Sequence, residues 1–313
     1  MRRLATALLF ALIGCGAARA DEPVKIVVPF AAGGPVDAAA RLLAQEMQGP
    51  LGATIVVENR AGGGGVIAAD YVSRAAPDGK TLLLGSQGSH VITAVLQPHV
   101  KYDPVKSFDA IAMMGASPTL LVANPQLPFK DFKDLVALAK TRNLSYASAG
   151  PGSTNHLCAA LFAKMTGVEM VHVPYRGGAP AVADTVGGQT QLFFTAGTQS
   201  LEYVKAGRLR LLAVTEEKRS SLLPDVPTVA ETVPGYEMAV WYGAFGPAGM
   251  PPAIVAKLNA EIGRILFLPD VKGRMDAIAV EVARMTPDEL GALTRRDADK
   301  WGKLIKELGV TPQ

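Results

Sequence analysis

Cysteine is scarce in this chain: the 313 residues hold only Cys15 and Cys158. Cys15 falls in an N-terminal segment expected to be removed. Cys158 then stands alone, and no intrachain disulfide is expected even in an oxidising compartment. Its neighbours Leu157, Ala159, Ala160 and Leu161 mark it as a buried small hydrophobe. An excess of charge is also missing. The formal +3 belongs to Arg2, Arg3 and Arg19, and without them 28 basic residues face 28 acidic ones. That balance leaves no basic footprint for nucleic acid. Past the N-terminal segment no apolar run spans a membrane, and no repeat of roughly 20–50 residues is visible. The four histidines (His90, His99, His156 and His172) have no metal-ligand spacing with each other or with Cys158. Neither a metal nor a cofactor is expected.

Residues 1–20 read as a secretory signal peptide. Arg2 and Arg3 precede an apolar core from Leu4 to Ile13, and Ala18-Arg19-Ala20 is a small-x-small cleavage signature. The segment is too short to serve as a membrane anchor. Leu12-Ile13-Gly14-Cys15 also fits the box at which a bacterial lipoprotein is cut and lipidated on its cysteine. Cleavage after Ala20 is favoured, because Asp21-Glu22-Pro23 makes a natural mature start. The expected location is periplasmic.

The mature chain of about 290 residues is large for one core and comfortable for two. Apolar runs predict strands over 25–30, 54–59, 81–85, 110–114 and 119–123, then 144–148, 169–174, 191–195, 209–215 and 239–245. Helices are predicted over 35–47, 66–74, 132–140, 154–166, 179–186, 199–205 and 253–266. A last helix begins at the capping box Thr286-Pro287-Asp288-Glu289 and stops at Gly309. Strands alternating with helices predict α/β architecture with parallel, doubly wound sheets.

One device recurs. Strand 25–30 runs through Ala31–Gly34 into a helix whose first residue is Pro35. Strand 144–148 runs through Gly150-Pro151-Gly152-Ser153 into the helix from Thr154, with Ser153 a good N-cap. Strand 169–174 runs through Tyr175-Arg176-Gly177-Gly178 into a third helix. Each turn aims backbone N–H groups, at the positive end of a helix dipole, toward one spot. In open α/β sheets ligands lie outside the carboxyl ends of the strands, where these turns are. Singly, each turn reads equally well as ordinary helix capping. Together they predict a cleft lined with N–H and hydroxyl donors for a small anion, most simply a carboxylate.

Catalytic motifs fail on inspection. Gly79-Lys80-Thr81 lacks the earlier glycine of a phosphate loop, where Arg74 stands. Gly63-x-Gly65-x-x-Ala68 mimics a dinucleotide fingerprint but follows the second strand across an Arg60-Ala61 insertion. Tyr146-Ala147-Ser148-Ala149-Gly150 resembles a nucleophile elbow with Tyr146 where glycine is required. His156 has no evident carboxylate to orient it as a base. Nothing here looks built for turnover.

Seven ordered motifs carry a specific resemblance. They are Pro29–Asp37, Val57–Gly63, Pro77–Leu83, Gly150–Leu157, Val173–Gly177, Leu223–Thr228 and Trp241-Tyr242-Gly243. Together they resemble the periplasmic substrate-binding proteins of tripartite tricarboxylate transporters, over essentially the whole mature chain. The resemblance implies a Venus-flytrap receptor, with no enzymatic activity, that closes on a carboxylate and delivers it to a membrane permease. It implies a discontinuous first domain (21–118 and 236–313) and a second domain (119–235), with two crossings as hinge. It places the carboxylate grips on Phe30–Gly34 and Ser148–Thr154. The candidate ligand contacts are Phe30, Ala31, Ala32, Gly33, Gly34, Ser86, Ser148, Ala149, Gly150, Gly152, Ser153, Thr154, His156, Tyr175, Thr195 and Trp241. Asp37 would repel an anion and is assigned to supporting the first turn. Trp241 and Tyr242 sit where the chain recrosses, as cleft wall or as core. Many relatives carry aspartates where Gln191 and Thr195 stand. Their absence leaves no partner for an ammonium group, which predicts a mono- or dicarboxylate without an amino group. The protein is expected to be a monomer. Two other classes stay open: a binding protein that feeds a sensor, and an α/β enzyme acting on a carboxylate.

Overall fold

The computed structural model describes residues 22–33, 35–129 and 131–310. The expected signal segment with Cys15, and Gly34 of the first turn, lie outside the described residues. The chain begins with β1 (Val24–Val28), α1 (Pro35–Leu51), β2 (Ile55–Asn59), α2 (Val66–Ser73) and β3 (Thr81–Ser86). A wide helical turn, Gln87–Ile92, continues into α3 (Thr93–Leu96) and leads to β4 (Phe108–Ser117). A second series follows: β5 (Thr119–Ala123), α4 (Phe132–Ala139), β6 (Leu144–Ser148), α5 (Thr154–Thr166), β7 (Met170–Pro174), α6 (Gly178–Val186), β8 (Leu192–Ala196), α7 (Gly197–Lys205) and β9 (Arg210–Val214). The chain closes with β10 (Val240–Pro247), α8 (Pro252–Leu266), α9 (Pro269–Ala277) and α10 (Pro287–Leu308).

Two five-stranded sheets result, in the orders β2-β1-β3-β10-β4 and β7-β6-β8-β5-β9. The expectation of wholly parallel sheets needs correction. β10 is antiparallel to β3 and β4, and β5 is antiparallel to β8 and β9. The reason is where the chain crosses. β4 ends at Ser117, level with the end of β3, and β5 starts at Thr119, opposite the end of β8. A strand that enters a sheet at the end where its neighbours finish must run against them. β10 re-enters the first sheet the same way, with Val240 opposite Ser117.

Both faces of each sheet are covered, as a doubly wound sheet requires. Ile26, Val28, Leu82 and Leu84 pack under α1 and α8, while Val27 and Leu83 face α2 and Phe245. In the second sheet Leu121 and Phe194 face α4 and α5, while Leu120, Val122 and Phe193 face α6. Cys158 is fully buried on α5, and burial pushes its thiol far above the usual range.

α10 joins the two units. Its cap is Thr286, whose hydroxyl accepts from the Glu289 amide while Glu289 takes the Thr286 amide, and Gly309 ends it at φ 60°. A helix of 22 residues is about 33 Å long, enough to reach past one core. Leu290 packs in the first core, and Trp301, Leu304 and Ile305 pack in the second. Tyr236 and Met238 also lie in the second core, with the Tyr236 hydroxyl donating to Cys158 O at 3.1 Å. Parts of residues 236–310 therefore pack with the second core. Truncating the fully buried Trp301 to alanine is expected to cost about 3–5 kcal/mol, as other large core deletions do. Urea unfolding followed by circular dichroism measures it; a loss under about 1 kcal/mol would mean that α10 only rests on the second domain.

Candidate functional site

The first turn is built around Asp37. This buried carboxylate accepts from the Gly33 amide at 2.9 Å, the Arg41 guanidinium at 2.9 Å and Asn59 Nδ2 at 2.9 Å. Asn59, at the end of β2, also donates to Phe30 O at 3.1 Å and accepts from Arg41 at 3.2 Å. The hydrogen bond from Arg41 does most to hold the Asp37 carboxyl down at about 2, aided by Gly33 and Asn59 against the effect of burial. Gly33 sits at φ 92° with its amide committed to Asp37, so that amide is not offered to a ligand. Phe30, Ala31 and Ala32 are exposed, and the Ala31 and Ala32 amides have no acceptor among the described residues.

The second-domain loop is more tightly wired. Ser148 is fully buried, and its hydroxyl accepts from the Gly150 amide at 3.0 Å and lies 2.6 Å from His172 Nε2. The Gly152 amide, at φ 75°, donates to His156 Nδ1 at 3.0 Å. Ser153 caps α5 by accepting from the His156 amide at 3.3 Å, and its hydroxyl donates to Gly150 O at 2.6 Å. That leaves the amides of Ala149, Thr154 and Asn155 with no acceptor among the described residues, the last two at the positive end of α5. Asn155 anchors the turn by donating to Phe194 O at 2.6 Å.

His156 stacks flat on His172, with centroids 4.1 Å apart and planes within 3°, and Tyr146 lies 4.9 Å from His172. Burial, and then the neighbouring His172, hold His156 down at about 4; burial also lowers His172.

The second-domain loop approaches the 87–96 segment of the first domain. A methyl added at Gly152 would lie 2.3 Å from Leu96 Cδ2, and one at Gly88 would lie 3.2 Å from Thr154 Oγ1. The 87–96 segment of the first domain thus sits against the loop of the second, with Ile92 buried in the second core.

Other sequence candidates are placed differently. Ser86 is buried and spends its hydroxyl capping the 87–92 turn, in a reciprocal box with Ser89. The Tyr175 amide donates to Ser148 O at 3.0 Å, and its hydroxyl pairs with Asp184 and is pushed up to about 12, chiefly by burial. Thr195 is fully buried and donates to Gln199 Oε1 at 3.2 Å. Gln191 faces away from the cleft: it accepts from Ser145 N and Oγ at the starts of β6 and β8, the opposite end of the sheet. Trp241 is closed off in the first core, its indole N–H donated to the buried Asp297 at 2.7 Å, so it is core and not cleft wall. Sequence reasoning missed Asn59, Asn155 and His172. Asn59 stands in a quoted motif and Asn155 in the first turn of α5, but no local spacing shows that His172 reaches Ser148.

Two α/β domains joined by crossing strands, each with strand-to-helix turns at the carboxyl ends of its parallel strands, define the architecture of a periplasmic solute-binding protein. The chain belongs to the tripartite tricarboxylate transporter family of receptors, whose model matches residues 39–310. Among solved structures it is similar to Rpa4515 of R. palustris with adipate, at 35% identity, TM-score 0.78, covering 93% of this chain and 98% of that one. It is similar to the periplasmic binding protein BugD, at 36% identity and TM-score 0.74 over 93% and 99% of the two chains. MatC of Rhodopseudomonas palustris with bound malate gives 36% identity and TM-score 0.73 over 90% and 98%.

Replacing Asp37 by asparagine is expected to lower the melting temperature of the ligand-free protein at pH 7. The folded carboxyl is held at about 2, below its ordinary value of 3.8. Its contribution is present above that ordinary value and lost as pH falls through the folded one. The gap between variant and wild type should therefore close between pH 4 and pH 2, by roughly those bounds. A gap unchanged over that range in thermal melts would show that the charge does not hold the turn.

Proposed function

We propose that this protein is an extracytoplasmic receptor that closes on a small organic carboxylate and presents it to a tripartite tricarboxylate-type permease. What supports the reading is a pair of strand-to-helix turns, one in each domain, each with backbone amides that have no acceptor among the described residues. A carboxylate between them accepts from Ala31 and Ala32 on one side and from Ala149, Thr154 and Asn155 on the other. Each charge-assisted hydrogen bond of that kind is worth about 1.5–3 kcal/mol, so a ligand touching both loops favours the closed arrangement. Gly33, Gly150, Gly152, Ser153 and His156 shape the turns, with Asp37 as support.

A ligand without an amino group fits this site. The carboxylates nearest the loops are already engaged, Asp37 by Arg41 and Asn59, and Asp184 by Tyr175. An ammonium group brought between the loops meets amide donors and no free carboxylate, and an unpaired charge out of water costs several kcal/mol. With Gln191 turned away, neutral Thr195 at the end of β8 and Gln199 on α7 carry the rest of this argument. Adipate and malate, bound by the R. palustris proteins, both lack an amino group. The receptor acts in the periplasm, delivered by residues 1–20, with cleavage after Ala20 in preference to lipidation at Cys15.

The test is a calorimetric panel pairing aspartate and glutamate with malate, succinate, 2-oxoglutarate and adipate. At least one of the last four is expected to bind, to be recovered chemically unchanged, and to stabilise the protein by ~2.7 kcal/mol at a hundredfold excess over Kd. Tight binding of an amino acid with none of its deaminated analogues would overturn the selectivity. Product formation in proportion to protein would overturn the receptor reading.

A further inference from the structure

The stacked histidines do something the anion-binding reading does not require. His156 Nδ1 accepts the Gly152 amide proton at 3.0 Å, so that nitrogen carries no proton of its own. A proton added there would set N–H against N–H. His172 differs. Its Nε2 lies 2.6 Å from Ser148 Oγ, which also lies 3.2 Å from Gly150 O. A neutral His172 accepts from the Ser148 hydroxyl. A charged one donates to it, and the hydroxyl turns to Gly150 O. His172 therefore tolerates protonation, and His156 does so only if the loop lets go.

The groups that face His156 are Tyr146 from β6, His172 from β7, and Lys164 and Glu307, which pair with each other across α5 and α10. None of them is a free carboxylate that would stabilise an imidazolium. His156 lines an open groove of about 760 Å³ together with Tyr146, Pro151 and Lys164, so solvent protons reach its edge from behind the loop.

We infer that His156 and His172 are positioning residues for the 148–153 loop, and that His156 holds the Gly152 amide only in its neutral form, so that acid opens the loop. This rests on the reading that the loop receives an anion. In the open loop His156 regains its ordinary value of 6.5 in place of about 4. A group whose folded value is depressed in this way favours the open state increasingly as pH falls from the higher value to the lower. Between pH 7.5 and pH 5 the open population should rise about 30-fold.

The measurement is amide exchange of Gly150 and Gly152 by NMR in the ligand-free protein, corrected for the intrinsic pH dependence of exchange. Protection is expected to fall by ~30-fold over that interval in the wild type. It should stay level in His156→Gln, whose side-chain oxygen accepts the amide but does not titrate. His172→Phe keeps a stacking face without the Ser148 bond and should lower Gly150 protection at every pH. Level protection in the wild type, or the same fall in His156→Gln, would overturn the inference. Global melting does not substitute, because the buried His90 is also held down at about 4. Should a variant fail to fold, the nitrogen-15 shifts of wild-type His156 decide: a proton on Nε2 and a midpoint well below 6.5 support the inference, and a proton on Nδ1 overturns it. Calorimetry with adipate at pH 7.5 runs alongside. No binding there counts against the ligand reading, and the exchange results stand independently of it.

Discussion

The constraint on which the structure depends is that the chain passes between the two sheets at the ends where their parallel strands stop. Everything at the site follows from those crossings. They force β5 and β10 to run backwards. They put the carboxyl ends of β1, β3, β6 and β8 face to face, and with them the N-termini of the helices that follow. A cleft floored by strand ends and walled by helix N-termini carries a positive potential without any charged side chain. The neutral mature composition, 28 basic residues against 28 acidic, agrees with an anion site made of backbone.

The crossings are laced tightly enough to act as a defined hinge. Thr215 N donates to Thr119 O and Met238 N donates to Thr215 O, both at 2.9 Å, and the Glu216 carboxylate takes the Thr119 amide at 2.8 Å. Burial pushes Glu216 up to about 8, against the pull of that amide. Glu281, whose backbone pairs with Ala116 of β4, accepts from Ser220 and Ser221 beyond β9. α10 adds a strap: one oxygen of Asp297 accepts from both Gln87 and Trp241, at 2.7 Å each, while Trp301 is anchored in the second core. The crossings thus form a hydrogen-bonded floor, and the 87–96 segment is tied to the second core through Ile92.

What the sequence made legible was whatever repeats a local physical pattern. The strands 119–123 and 144–148, the helix 154–166 and the caps at Thr286 and Gly309 all stand where apolar runs, Ser153 and the capping box put them. Three helical segments were not legible: the 87–92 turn, α3 that continues it, and α9. The 87–92 turn opens Gln-Gly-Ser-His with no apolar stripe, and it is helical because Ser86 and Ser89 cap one another and Ile92 reaches another domain's core. α9 buries only Val271 and Met275, too little periodicity to separate from a loop. Strand direction was hidden for a different reason. Buried strands of either sense read as the same apolar run, and only knowledge of where the chain crosses distinguishes them.

The same division runs through the site. The turns that hold Ala31, Ala149 and Thr154 were legible because a strand–glycine–helix pattern marks them locally. Residues that act through side chains at a distance were not, since Ser148 with His172 spans 24 positions and Asp37 with Asn59 spans 22. Those long-range bonds decide which amides remain to be offered. Asp37 takes that of Gly33, Ser148 that of Gly150, and His156 that of Gly152. The loops are thus held in shape by spending some of their own donors. Glycine is needed at 33 and 152 because φ is 92° and 75° there, angles that cost other residues strain. Loops fixed by their own hydrogen bonds in this way do not have to be ordered again when something binds to them.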